Sequence, residues 1–346
     1  FVQDYHFALL PRLLRDARPD LVVAHFWHIP WPNRETFRAC PWQDEILDGL
    51  LGNDLLAFHV QDHCNNFLET VDRGVESRVD MERFSVTRRG RTTRVQPHPI
   101  SIDPDAVSAL LPLDLGREER RLRKRLHLGQ GKLLVGVDRV DYTKGIPERF
   151  RAVDCLIERH PDLRGTFCFV QVGAPSRVHI AAYRRLNEEL SELADDINRR
   201  RGTADWRPIV FLNEHCGPER VYLLDRLAAG CVVSSLHDGM NLVAKEFVAA
   251  RTDGQGVLVL SRFTGAAREL SDAVQINPYA VDDFAEALWL ALTMPAEEQQ
   301  VRMARLRREV ADHNVYRWAG MLLSEASKIA QVRQAVELRP SAELSV

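Results

Sequence analysis

The run His237-Asp238-Gly239-Met240-Asn241-Leu242-Val243-Ala244-Lys245-Glu246 carries residue types that could do chemistry, in an order that could position them. It follows the apolar stretch 230–236, and together the two read as strand, tight glycine turn and helix start. At such a junction the unpaired backbone N–H groups and the positive end of the helix dipole face outward, which suits a phosphate. An acid stands at each end of the run, Asp238 and Glu246, eight positions apart. One is placed to reach a sugar hydroxyl and the other a ribose, so the run predicts a nucleotide-sugar site.

A second cluster lies in Val137-Asp138-Arg139-Val140-Asp141-Tyr142-Thr143-Lys144-Gly145, just past another buried strand. Arg139 and Lys144 on one strand-end loop can clamp a diphosphate, the first through a planar fork and the second as a mobile point charge. Surface salt bridges to Asp138 and Asp141 are the competing reading; the turn at 237–246 favours the clamp.

Other candidates stay open on the residues alone. His28, in Phe26-Trp27-His28-Ile29-Pro30-Trp31-Pro32, reads either as a core histidine among aromatics or as a sugar contact at a strand end, held in a turn made rigid by the two prolines. Asp4, before Tyr5 and His6, reads either as a helix N-cap or as a site residue. His25, His28, His59, His63 and Cys64 have suggestive spacings, but no second cluster completes a four-ligand metal set. No serine-hydrolase elbow, G-x-x-x-x-G-K-[ST] or G-x-G-x-x-G occurs, which weakens hydrolase, kinase and dehydrogenase readings.

The elements that must position these residues are those of α/β domains. From about residue 131, apolar runs at 132–140, 166–172, 208–212, 231–236, 257–261 and 274–276 alternate with amphipathic stretches. The clearest of these has Tyr183, Leu186, Leu190, Leu193 and Ile197 on one face and ends at Gly202. Such alternation predicts a parallel sheet covered on both faces, with ligands outside the carboxyl ends of its strands. Earlier, 21–29 and 54–60 read as buried strands, 83–100 as a hairpin turning at Arg89-Gly90, and the charge-rich 115–128 as a surface helix near the domain junction. The expected division is an N-terminal domain at 1–128, a donor domain at 129–330 and a tail at 331–346 without periodicity. The chain opens at Phe1 inside an apolar pattern, which predicts that an upstream part of the first domain is missing.

Composition is ordinary for a globular chain of 346 residues, 45% hydrophobic and 27% charged. A net charge of -3 gives no basic field for nucleic acid, and no apolar run approaches the roughly 18 residues a membrane span needs. Six scattered cysteines without a C-x-x-C pair point to a reducing cytoplasm.

Taken together, the strings resemble the trehalose-6-phosphate synthase family of retaining glycosyltransferases. Those that carry the resemblance are Gln3-Asp4-Tyr5-His6, His28-Ile29-Pro30-Trp31-Pro32, 44–52, 139–150, 238–246 and 256–261, in order along nearly the whole chain. The resemblance implies the GT-B architecture, two Rossmann-like domains facing across a cleft, with an N-terminal domain incomplete in this chain. It implies transfer of glucose from a nucleotide donor, UDP-glucose, to glucose 6-phosphate. Glucosylglycerol-phosphate synthesis with another acceptor, and a silent sugar-phosphate sensor, are the alternatives.

By position, Arg139 and Lys144 would bind the donor diphosphate and Glu246 the ribose. Asp238, Gly239, Met240 and Asn241 would contact the transferred glucose, with the N–H groups of Asn241, Leu242 and Val243 near the phosphates. His28 would face the glucose from the other domain, and Asp4, Tyr5 and Arg177 would meet the acceptor. No metal or other cofactor is implied, since the nucleotide sugar is a substrate, and no D-x-D motif sits near the site. Self-association is common in the family. Two positions depart from it: His237 stands where many members carry arginine, and Trp31 where phenylalanine is usual.

Overall fold

The structure is a computed structural model that describes residues 1–337. The chain divides into two compact units, Phe1–Ile100 together with the chain from Val315 onward, and Ser101–Asn314.

The first unit holds a sheet of β1 (Val2–Gln3), β2 (Ala24–Phe26), β3 (Leu55–Phe58), β4 (Arg78–Asp80), β5 (Ser85–Arg88) and β6 (Arg91–Pro97), in the order β1-β2-β3-β6-β5-β4. The first four in that order run parallel, and β5 and β4 are antiparallel additions. Arg88 pairs with Arg91 across a two-residue turn in which Arg89 and Gly90 both have positive φ, 49° and 73°. That is the turn geometry whose twist matches two antiparallel strands.

Side chains of β2 and β3 alternate between two buried faces. Leu56 and Phe58 join Trp27, Trp31, Phe67 and Leu68 on one side. Ala24, Phe26, Leu55 and Ala57 meet Leu322 and Ile329 of the helix Val315–Glu337 on the other. This second face explains why the units do not divide at 128/129 and 330. A face that needs an apolar cover recruits the C-terminal helix, which runs to Glu337 rather than losing its structure at 331. The rest of the expected tail, 338–346, lies outside the described residues. Residues 101–128 belong with the second unit, because the helix Pro104–Ala109 packs on Leu242–Ala250 and the helix Leu115–Arg125 on Pro218–Leu227.

The second unit holds a wholly parallel sheet of β7 (Lys132–Arg139), β8 (Phe167–Ala174), β9 (Ile209–Leu212), β10 (Gly230–Val233), β11 (Val257–Ser261) and β12 (Val274–Ile276). Its order, β12-β11-β10-β7-β8-β9, starts in the middle and winds outward both ways. The order therefore reverses between β7 and β10, and a doubly wound sheet binds ligands at the carboxyl ends beside that reversal. The two loops singled out from the sequence are the ones that leave β7 and β10.

Candidate functional site

The loop after β7 is built to present its lysine. Asp141 caps the turn Tyr142–Lys144, accepting from Thr143 N at 2.9 Å and Thr143 Oγ1 at 2.8 Å. Gly145 follows at φ 63°, and a Cβ there would come within 2.2 Å of the Ser234 carbonyl. From the other loop, Ser234 Oγ donates to Gly145 O at 2.8 Å and Leu236 N donates to Thr143 O at 2.7 Å. β10 therefore ends at Val233, short of the 236 expected, because the chain leaves the sheet to join the β7 loop.

Where the loops meet, Lys144 Nζ lies 2.6 Å from Asp238 Oδ2. The same oxygen accepts from Ser235 Oγ and from Asn241 Nδ2, each at 3.2 Å. Asn241 takes φ 87° and caps the helix Leu242–Ala250, its Oδ1 accepting from Ala244 N at 3.0 Å. The N–H groups of Leu242 and Val243, in the first turn, have no partner among the described residues. Gly239 lies in tight apposition to Gly265, and Met240 O accepts from Ala266 N at 2.8 Å, so the turn is fixed by backbone.

The competing salt-bridge reading of the two cations does not match these partners. Asp138 is engaged by Arg149 and Asp141 by Thr143 and Tyr183. Arg139, at the end of β7, is exposed, and its guanidinium has no hydrogen bond or ion pair among the described residues. Burial would raise the Asp141 carboxyl, but the bonds from Thr143 and Tyr183 outweigh it and hold the group low.

Glu246 sits one turn into the helix Leu242–Ala250, half-buried, with no hydrogen bond or ion pair among the described residues. Burial alone pushes its carboxyl above the ordinary range. A carboxyl group without a partner at a strand-end site is suited to accept hydroxyl hydrogen bonds from a ligand. Arg177 is exposed at φ 49°; its Nη1 donates to Tyr183 Oη at 2.7 Å and its guanidinium lies 5.5 Å from that ring's centroid.

In the first unit, Asp4 and His28 lie just past the carboxyl ends of β1 and β2. Asp4 does not cap a helix with its side chain; its Oδ1 accepts from His28 N at 3.1 Å. Its backbone, at φ 59° and ψ -179°, occupies a region nearly confined to glycine. Asp4 N donates to Phe26 O at 2.8 Å, and His25 Nε2 lies 2.9 Å from Asp4 O, which fixes this conformation. Burial lowers His25 to about 4, so its neutral imidazole donates to that carbonyl. His28 Nε2 lies 2.5 Å from Gln3 Oε1, and burial lowers its pKa against the pull of Asp4. Tyr5 is exposed and stacks on His6.

The strain at Asp4 is testable. Asp4→Gly and Asp4→Ala both lose the bond to His28, but only glycine relaxes the backbone. Glycine is expected to leave the first unit more stable than alanine by about 1–3 kcal/mol. Equal denaturant midpoints for the two variants would show that no strain is stored there.

The sequence reading missed the group that underpins the β7 and β10 loops. Arg149 is wholly buried; its Nη1 donates to Asp138 Oδ2 at 2.8 Å and Gln171 Oε1 at 2.6 Å, and its Nε to Ser234 Oγ at 3.0 Å. The available signal was a charge on the apolar stripe Ile146, Phe150, Val153, Leu156 and Ile157 of the helix Ile146–Arg159. A charge on a buried stripe needs partners.

Trp31 lies in the core at 1% exposure, with Nε1 donating to Thr70 Oγ1 at 3.2 Å, so this departure alters packing and not a ligand surface. His237 is exposed on the β10 loop. Among the described residues no group of three or more His, Cys, Asp or Glu side chains is placed to hold a metal ion, and no helix is long and apolar enough to cross a membrane.

Comparison with known proteins shows the family and the fold. Glycosyltransferase family 20 matches residues 1–328. An alpha,alpha-trehalose-phosphate synthase [UDP-forming] A of Dictyostelium discoideum is 35% identical over 331 residues, 95% of this chain and 44% of that protein, so the chain spans less than half of that relative's length. A Burkholderia xenovorans alpha,alpha-trehalose-phosphate synthase (UDP-forming), solved in complex with glucose-6-phosphate, superposes with a TM-score of 0.89 at 34% identity, covering 94% of this chain and 72% of that one. An E. coli trehalose-6-phosphate protein bound with UDP-2-fluoro glucose gives a TM-score of 0.89 at 33% identity, covering 94% and 72%. With two Rossmann-like α/β units and a family model that matches residues 1–328, the chain belongs to glycosyltransferase family 20, the trehalose-6-phosphate synthase family of GT-B glycosyltransferases.

Proposed function

We propose that this chain carries the donor site and reaction centre of a retaining glucosyltransferase that moves glucose from UDP-glucose to glucose 6-phosphate, releasing UDP and forming trehalose 6-phosphate. The observation that carries the proposal is the meeting of Lys144 with Asp238 where the β7 and β10 loops converge, beside the open N–H groups of Leu242 and Val243. The departing UDP gains negative charge, and a pre-positioned lysine, an arginine and a helix N-terminus stabilise that charge where it develops. Glu246 takes the ribose hydroxyls, while Asp238, Gly239, Met240 and Asn241 line the transferred glucose. By the family resemblance, the acceptor contacts fall to Asp4, Tyr5 and Arg177, and a glucose contact to His28. In this reading the acceptor hydroxyl attacks the face from which UDP leaves, and a donor phosphate oxygen accepts its proton. The protein then needs no general acid of its own for the leaving group.

The test incubates the full-length protein with UDP-glucose and either glucose 6-phosphate or glycerol 3-phosphate, following UDP release and product mass. A disaccharide phosphate with glucose 6-phosphate is the expected result. UDP release with glycerol 3-phosphate alone would keep the donor site and overturn the acceptor. UDP binding without turnover on either would overturn the enzymatic reading in favour of a sensor.

A further inference from the structure

The helix packed against the one that bears Glu246 carries a buried carboxyl group without a hydrogen-bond partner among the described residues. Asp225, on the helix Pro218–Leu227, is fully buried, and neither of its carboxyl oxygens has a hydrogen-bond partner among the described residues. That helix packs against Leu242–Ala250, the helix that bears Glu246. Tyr222, three positions before Asp225 and so on the same helix face, is half-buried, and the charge of Glu246 acts on both residues. The other titratable groups facing Asp225 are Cys231, in β10, and Arg251, just past the end of Leu242–Ala250. Arg251 is committed elsewhere: its guanidinium donates to the backbone carbonyls of Asp225, Arg226, Ala228 and Gln255 and to Asp253 Oδ2.

An ionised carboxylate buried without partners costs several kcal/mol, so such a group retains its proton instead. Burial, reinforced by Glu246, raises Asp225 well above the ordinary carboxylate range. A protonated carboxyl is a hydrogen-bond donor and adds no second negative charge beside Glu246. Two neighbouring carboxyl groups that hold one proton between them divide the roles of acid and carboxylate.

We propose that Asp225 is a positioning residue for the nucleoside ribose: as a neutral acid it donates to Glu246 in the nucleotide complex, fixing the Glu246 carboxylate so that it accepts the ribose hydroxyls. This inference rests on the nucleotide-glucose reading of the site.

The test measures binding of UDP and of 2′,3′-dideoxy-UDP by titration calorimetry. Asp225→Asn keeps a neutral donor and is expected to hold UDP within about twofold of the parent protein. Asp225→Leu keeps the branched heavy-atom outline, with two methyl groups in place of the oxygens, but removes the donor. It is expected to weaken UDP on the order of tenfold, the scale of one lost hydrogen bond to a charged group, with dideoxy-UDP unchanged. Parent-like UDP binding by Asp225→Leu, or equal loss of both nucleotides, would overturn the proposal. Glu246→Gln separates the two levels of inference. If it leaves the preference for UDP intact, the ribose reading itself fails. If it abolishes the preference while Asp225→Leu does not, only the role of Asp225 fails.

Discussion

Lys144→Ala is expected to lower glucosyl transfer by about 10²–10³-fold with the fold retained, the scale seen when one pre-positioned stabiliser of developing charge is removed. The size follows from where the lysine sits. Its side chain is 17% exposed, on a loop fixed by the Asp141 cap, by Gly145 and by the bonds from Ser234 and Leu236. A cation held this way has little solvent to reorganise as negative charge develops on a departing group. The helix terminus at Leu242 contributes less, since a terminus is worth about 0.3–1 kcal/mol per charge. The fold survives because Asp238 keeps its bonds from Ser235 and Asn241 when the lysine is gone. Lys144→Arg is not expected to restore the rate, because a broad planar fork does not reproduce a compact ammonium at 2.6 Å from Asp238. Steady-state kinetics with saturating donor, alongside circular dichroism, checks this. Turnover within about threefold of the parent would remove Lys144 from the charge-stabilising role.

The loops that carry this prediction were legible because each follows an apolar strand and breaks it with glycine, acid and cation in a few positions. The hairpin at Arg89-Gly90 was legible for the same reason: a flexible residue pair between two alternating runs. β1 and β4 were not, since two and three residues carry no period to read. The docking of the helix Val315–Glu337 on β2 and β3 was hidden for another reason. Apolar spacing shows that a helix buries a face but does not name what covers it. Trp31 illustrates the converse: it shares the string at 28–32 with the site candidate His28, yet its ring packs in the core against Trp27, Phe37, Phe58 and Phe67, which a residue type alone does not reveal. The buried ionisable groups were the most informative omission. Arg149, Asp138 and Asp225 each interrupt an apolar stretch, and a charge in such a place marks a site or its support.

Arg149→Met is expected to destabilise the second unit by about 3–5 kcal/mol, the cost of leaving one member of a buried ion pair uncompensated. Arg149 and Asp138 are 0% and 3% exposed in their side chains, 2.8 Å apart, with Gln171 and Ser234 completing the set. Removing the arginine strands the Asp138 carboxylate and takes away the hydrogen bond that Ser234 Oγ accepts from Arg149 Nε, leaving Ser234 only its bonds to Lys144 O and Gly145 O. Burial already pushes Asp138 upward, opposed chiefly by Arg149 and Lys144, so losing the guanidinium raises it further. The sign of the pH dependence follows. A carboxyl that holds its proton in the folded state but releases it at about 3.9 when unfolded loses stability as pH rises above that value. The variant's deficit is therefore larger at pH 7 than at pH 5. The double variant Asp138→Asn with Arg149→Met leaves no stranded charge and is expected to recover most of the loss and its pH dependence. Hydrogen exchange of the β7 and β10 amides reads this unit alone, which a global melt of a chain with two compact units does not. If Arg149→Met exchanged like the parent at both pH values, the buried network would not be what holds the β7 and β10 loops together. If the double variant regained stability but not turnover, the arginine would be shown to act on the reaction by placing Gly145 and Lys144, through Ser234, rather than through the stability of the unit.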